Sequence, residues 1–72
     1  MNIKETLNQA TYILEANKIS NPYLDSEILL SKSINKDKKY IILNPKELLK
    51  SNQLNSFNRL IERRKKGEPI AY

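Results

Sequence analysis

Thirteen cations stand against eight carboxylates in this 72-residue chain, and their placement offers the first possible chemistry. Arg59, Arg63, Arg64, Lys65 and Lys66 crowd together near the C-terminal end, while Lys32, Lys36, Lys38 and Lys39 form a second group mid-chain. Clusters of this kind bind phosphate or steer an anionic partner, and the net charge of +5 adds to that pull. On a helix, Arg59, Arg63 and Lys66 share one face, whereas Arg64 and Lys65 splay around it. A simpler role for four consecutive cations at a helix C-terminus is to offset the helix dipole while staying solvated. No exposed aromatics interleave with the cluster, so nucleic acid is an open but not a favoured partner.

The other reactive residue types are poorly placed for catalysis. Asp25 and Glu27 lie two apart and face different sides of a helix, so they make no local acid–base pair. Ser26, Ser31, Ser33, Ser51 and Ser56 have no histidine to activate them. With no His and no Cys, the usual general base, the commonest metal ligand, the thiol nucleophile and the disulfide are all missing. The single glycine, Gly67, is too few for a phosphate-cradling loop or a dinucleotide fingerprint. No catalytic, cofactor-binding or metal-binding residue is assigned.

Nine Ile and ten Leu suffice for one small core, and a chain this short buries only about 60% of its unfolded surface. A deep substrate cavity would consume that core. No apolar run reaches the roughly 18 residues of a membrane span, and the polar start is unlike a signal peptide. A cytoplasmic, reducing compartment is the expectation.

The elements that must position these residues read as helices. Ile3, Leu7, Ala10 and Leu14 form one stripe at helical spacing, with Lys4, Thr6 and Gln9 outside it. Asn17-Lys18 is the expected stop, with Asn17 in the left-handed cap conformation. Ser20-Asn21-Pro22 opens a second helix, where Asp25 and Glu27 complement the dipole. Its apolar set of Tyr23, Leu24, Ile28, Leu29, Leu30 and Ile34 covers more than one face and predicts the most buried helix.

Lys38 to Leu43 has strand propensity but no partner strand in the chain, so a short helix capped by Asn35 is the better reading. Asn44-Pro45-Lys46-Glu47 has the form of a further helix start, with Leu48-Leu49 as its buried pair. Ser51 is expected to cap the last helix, whose stripe is Leu54, Phe57, Leu60 and Ile61. Glu62 precedes Lys66 by four residues, the favourable order of an ion pair. Gly67 and Pro69 then stop the helix. The prediction is an all-α fold, a small bundle of four to five helices. The apolar ending Ile70-Ala71-Tyr72 predicts continuation into another element, with a tail folded back over the bundle as the competing reading.

Read together, Arg59-Leu60-Ile61-Glu62-Arg63-Arg64-Lys65-Lys66-Gly67-Glu68-Pro69-Ile70-Ala71-Tyr72 resembles one specific signature. It is similar to the junction that follows the N-terminal helical domain of the HemK/PrmC family, the release-factor glutamine methyltransferases. There a helix ends in Arg-Arg, runs into Gly-Glu-Pro and continues through Ala-Tyr or Ala-His into the catalytic domain. Leu24-Asp25-Ser26-Glu27-Ile28-Leu29-Leu30 is similar to that family's Asp-Ala-Glu helix.

The resemblance implies a domain rather than a whole enzyme. Residues 1–66 would be a helical bundle that recognises substrate. Residues 67–72, with Gly67, Glu68, Pro69 and Tyr72 as junction residues, would begin the linker to a Rossmann-like domain. That second domain would bind S-adenosylmethionine and methylate the glutamine of the Gly-Gly-Gln motif in a class I peptide chain release factor. Its cofactor loop and Asn-Pro-Pro-Tyr motif are not among these residues; Lys46-Glu47 follows Asn44-Pro45 here. The expected partners are the release factor and the chain's own catalytic domain, with Arg59, Arg63, Arg64, Lys65 and Lys66 as the expected contact surface. Two other readings stay open: a free-standing basic module binding nucleic acid or protein, and fusion to a further enzymatic domain such as an RNA-directed methyltransferase.

Overall fold

The computed structural model describes residues 1–70, in which four helices form: α1 (Ile3–Ala16), α2 (Pro22–Ile34), α3 (Lys38–Leu43) and α4 (Ser51–Lys65). Among these residues no strand forms, and a single antiparallel bridge joins Asn2 to Leu48. The expected all-α bundle is what the chain adopts. Tyr72, expected at the junction, lies outside the described residues.

At the start of α1, the Asn2 side chain accepts the Glu5 N–H at 2.8 Å, and Glu5 Oε1 accepts the Asn2 N–H at 3.0 Å. This reciprocal box satisfies two donors that a helix start leaves open. Ile3, Leu7, Ala10 and Leu14 are all buried, as their spacing predicts. Thr6 is buried too, contrary to expectation. Its hydroxyl donates to the Asn2 carbonyl at 2.8 Å, so the polar group enters the interior already paired.

Helix α2 packs against α1, α3 and α4, which explains why its apolar residues cover more than one face. Leu29, Leu30 and Ile34 are buried, but Tyr23 and Leu24, assigned to the same set, stay exposed in the first turn. Pro22 holds the first helical position, and Asn21 sits at the cap without a side-chain cap bond. The short helix α3 forms where expected, but Asp37 caps it, accepting the Tyr40 N–H at 2.9 Å. Asn35, assigned that role from the sequence, instead ends α2 in the left-handed conformation at φ 56°.

Residues 44–50 are not a helix. The chain turns at residues 45 and 46 and runs extended beside the start of α1. There the Glu47 carbonyl accepts the Ile3 N–H and the Pro45 carbonyl accepts the Lys4 N–H, both at 3.0 Å, while the Leu49 N–H donates to Met1 O. These are first-turn donors with no partner inside their own helix. Supplying two carbonyls to them outweighs the local cap signal. Leu49 is consequently buried and Leu48 exposed, the alternation of an extended chain.

Helix α4 begins at Ser51 itself, which is the first helical residue and not the cap. Lys50 precedes it, and its N–H donates to Gln53 Oε1 at 2.8 Å. Phe57 and Ile61 are buried, with Leu54 and Leu60 packed half-buried beside them. Glu62 pairs with Lys65 at 3.3 Å, one residue earlier than the predicted Lys66.

Helices α1, α2 and α4 end alike, each on a left-handed residue: Lys18 (φ 62°), Asn35 (φ 56°) and Gly67 (φ 95°). The stop after α1 thus falls on Lys18, not Asn17, whose φ is −100°. In all three, two backbone N–H groups turn back onto the helix's last carbonyls. At α4 these are Gly67 N–H to Arg64 O at 2.9 Å and Glu68 N–H to Arg63 O at 3.2 Å. The core gathers Ile3, Leu7, Ala10 and Leu14 with Leu29, Leu30, Ile34, Ile41, Leu49, Phe57 and Ile61. Ile70 packs half-buried against it, so the segment after α4 folds back at least that far. No helix among the described residues is long and apolar enough to cross a membrane.

Candidate functional site

Three of the five cations predicted to face a partner are engaged inside the chain. Arg64 Nε donates to Asp25 Oδ2 at 2.9 Å, joining the end of α4 to the first turn of α2. The pair is largely enclosed, with the Asp25 side chain 5% exposed and that of Arg64 21%. Arg64 Nη1 also donates to the backbone carbonyl of Glu68 at 3.1 Å. One guanidinium therefore holds α2 and the segment leaving α4 at the same time.

Arg63 takes the side chain of the same glutamate. Its Nε and Nη2 donate to the two Glu68 carboxylate oxygens at 3.0 and 3.1 Å, a parallel fork suited to the planar group. Hydrogen bonding to Arg63 holds the Glu68 carboxyl below its ordinary pKa, and the same bonds raise the Arg63 guanidinium. Both side chains are at least half exposed, so solvent screens this pair far more than Asp25–Arg64. Lys65 pairs with Glu62 along the helix. Arg59 and Lys66 are exposed and form no ion pair among the described residues. Lys66 nevertheless lies near enough to Glu68 for its charge to help lower that carboxyl's pKa, after the larger effect of Arg63.

Gly67 and Glu68, two of the residues expected from the sequence to form a junction, are held by these bonds and by the backbone bonds that end α4. Gly67 reaches φ 95°, a conformation that L side chains rarely adopt, and this lets Glu68 turn back under both arginines. Pro69 continues the turn along a small cleft of about 160 Å³ between α2 and α4, lined also by Leu29, Lys32 and Leu60.

Asp25 and Glu27 are both buried, and not the solvated charges that dipole complementation alone would ask for. Asp25 is buried because Arg64, at the end of α4, meets it. Its pairing across 39 residues was not visible in any local pattern.

Sequence reasoning missed a second feature. Tyr40 donates its hydroxyl to the Glu47 carboxylate, and this bond, with some burial, raises the phenol above its ordinary pKa. Lys36 Nζ stands 5.1 Å from the centre of the same ring. Beyond it, Ile42, Leu43 and Leu48 are exposed apolar residues, and Ile42 and Tyr23 edge an open groove of about 340 Å³ over Ile3 and Leu7. Nothing in their periodicity separates them from core residues.

A Cβ placed on Gly67 meets nothing within 4 Å, so no ligand-shaped approach depends on that glycine. The cleft beside Pro69, about 160 Å³, is smaller than the open groove of about 340 Å³ over Ile3 and Leu7. No group of three or more carboxylates among the described residues gathers as a metal site.

A small helical bundle whose last helix is bonded to the segment leaving it is the class that fold and site define. The model of the PrmC N-terminal domain matches residues 5–72, and the chain belongs to that family. A bifunctional methyltransferase of Rickettsia bellii is 40% identical over 70 residues, covering 97% of this chain and 13% of that protein. Release factor glutamine methyltransferases of Aliivibrio fischeri and Buchnera aphidicola are 32% and 38% identical over 72 residues, all of this chain and 25% of each relative. The chain thus spans between about one eighth and one quarter of the length of these relatives. No solved structure gives a significant match.

Proposed function

We propose that this chain is the substrate-recognition domain of a methyltransferase that modifies the glutamine of the Gly-Gly-Gln motif in class I peptide chain release factors. The observation that carries the reading is the match to whole-chain length in relatives named release factor glutamine methyltransferase. In this reading residues 1–66 form the bundle, and residues 67–72 lead into a Rossmann-like domain that binds S-adenosylmethionine. That cofactor supplies the methyl group there. The bundle itself does no chemistry.

Methyl transfer to a neutral amide nitrogen demands alignment of acceptor and donor. A large protein substrate can be aligned by binding energy gathered far from the reacting atoms. The basic end of α4 is the surface assigned to that task. Arg59 and Lys66 would make the direct contacts, with Arg63, Arg64 and Lys65 contributing positive field around them. Pairing three of the five cations with carboxylates leaves less bare charge than a phosphate backbone calls for.

The test uses the full-length protein and its intact release factor. Mass spectrometry is expected to find one methyl group on the Gly-Gly-Gln glutamine. Arg59→Glu with Lys66→Glu should lower kcat/KM on the release factor about tenfold at low salt, less at high salt. Absence of the methyl group would reject the activity. Unchanged kinetics at both salt concentrations would reject the α4 surface.

A further inference from the structure

The two sequence blocks that carry the family signature lie far apart in the chain, and one side chain joins them. Arg64 bonds to Asp25 on α2 and to the Glu68 carbonyl just past the end of α4. Arg63 holds the Glu68 carboxylate, and the Glu68 N–H returns to the Arg63 carbonyl at 3.2 Å. Glu68 is therefore gripped at its N–H, its C=O and its carboxylate at once.

A helix stop by itself requires only the backbone bonds that Gly67 and Glu68 make. Lys18 ends α1 with those and one amide bond within the helix itself, from Asn17 Nδ2 to the Ile13 carbonyl at 2.8 Å, whereas at α4 side chains tie the residue past the stop to a second helix. The extra bonds at α4 exceed what termination needs. They remove freedom from the backbone just past α4, ahead of Ile70, which packs half-buried against the core.

We propose that Asp25, Arg64 and Glu68 form an orientation clamp, with Arg64 as a positioning residue that fixes the direction in which the chain departs toward the domain that follows. The proposal rests on the reading of this chain as one domain of a longer methyltransferase. A flexible exit would let the two domains sample many relative placements, and each productive encounter would then lose the alignment that binding energy is meant to supply. The enclosed Asp25 anchors the clamp to α2, so the exit direction is set by the bundle as a whole and not by α4 alone. Arginine is required at this position because a lysine ammonium cannot span the carboxylate and the carbonyl with the same planar fork.

The test is made in the full-length protein with spin labels at Tyr12, which is exposed on α1, and at one exposed site in the following domain. Wild type is expected to give a narrow distance distribution. Arg64→Lys, which keeps the charge, should widen it about twofold and lower kcat on intact release factor about tenfold while α-helical circular dichroism is retained. If Arg64→Lys does not fold, a second variant with two glycines inserted after Glu68 leaves Asp25–Arg64 intact and is expected to widen the distribution equally. A folded variant of either kind with the wild-type distribution and wild-type kcat overturns the clamp. If the wild-type protein does not methylate release factor, the functional reading fails instead, while the distance measurement still judges the clamp.

Discussion

Arg64 and Asp25, 39 residues apart, meet at 2.9 Å in a pair from which water is largely excluded. The consequence is that the end of the last helix and the start of the second cannot be varied independently. Removing one partner strands the other charge in a poorly solvated place, which costs more than removing both.

A double-mutant cycle measures this. Asp25→Asn and Arg64→Met should each destabilise the bundle by about 2 kcal/mol and the double variant by only about 1 kcal/mol, a coupling of about 3 kcal/mol between them. Urea unfolding followed by circular dichroism gives the values. Strictly additive effects would mean that the two side chains act separately.

Glu68 makes stability depend on acid. Its carboxyl pKa is lowered in the folded chain, first by the hydrogen bonds from Arg63, so the charged form is favoured by folding. The sign follows: the contribution is present above the ordinary glutamate pKa and disappears as pH falls through the lower folded value. A carbon-detected NMR titration should place Glu68 below the usual glutamate range, and Arg63→Gln should return it to that range. High salt should weaken the effect, because both groups are exposed. A glutamate titrating at its ordinary value in the unaltered chain would contradict the fork.

Leu48 and Leu49 separate the extended from the helical reading of residues 44–50. Leu49→Asp should unfold most of the protein, since it buries an unpaired carboxylate in the core beside Met1 and α1. Leu48→Asp, at a 74% exposed position, should change the unfolding free energy by about 0.5 kcal/mol or less. Comparable damage from both would restore the buried helical pair that the sequence pattern implied.

The helices themselves were legible because their signals are local. Ile3, Leu7, Ala10 and Leu14 repeat at the period of a helix, and burial of that stripe needs no knowledge of its neighbour. Gly67 before Pro69 marks a stop for the same reason, as only glycine adopts φ 95° without strain. The signature around Arg63-Arg64 and Gly67-Glu68-Pro69 was readable as a string of residue types, and so was its family.

Tertiary structure decided which of those residues meet. Whether Asn44-Pro45-Lys46-Glu47 opens a helix depended on the unpaired N–H groups of Ile3 and Lys4, some forty residues away, which took the Glu47 and Pro45 carbonyls for themselves. Whether Arg64 faces a partner or the bundle depended on Asp25 lying opposite it once α2 and α4 packed. A local pattern lists the donors and charges a segment owns, but not the distant groups that will satisfy them. In this chain those distant partners turned a run of helix-capping cations into bonds that hold the departing chain to the bundle.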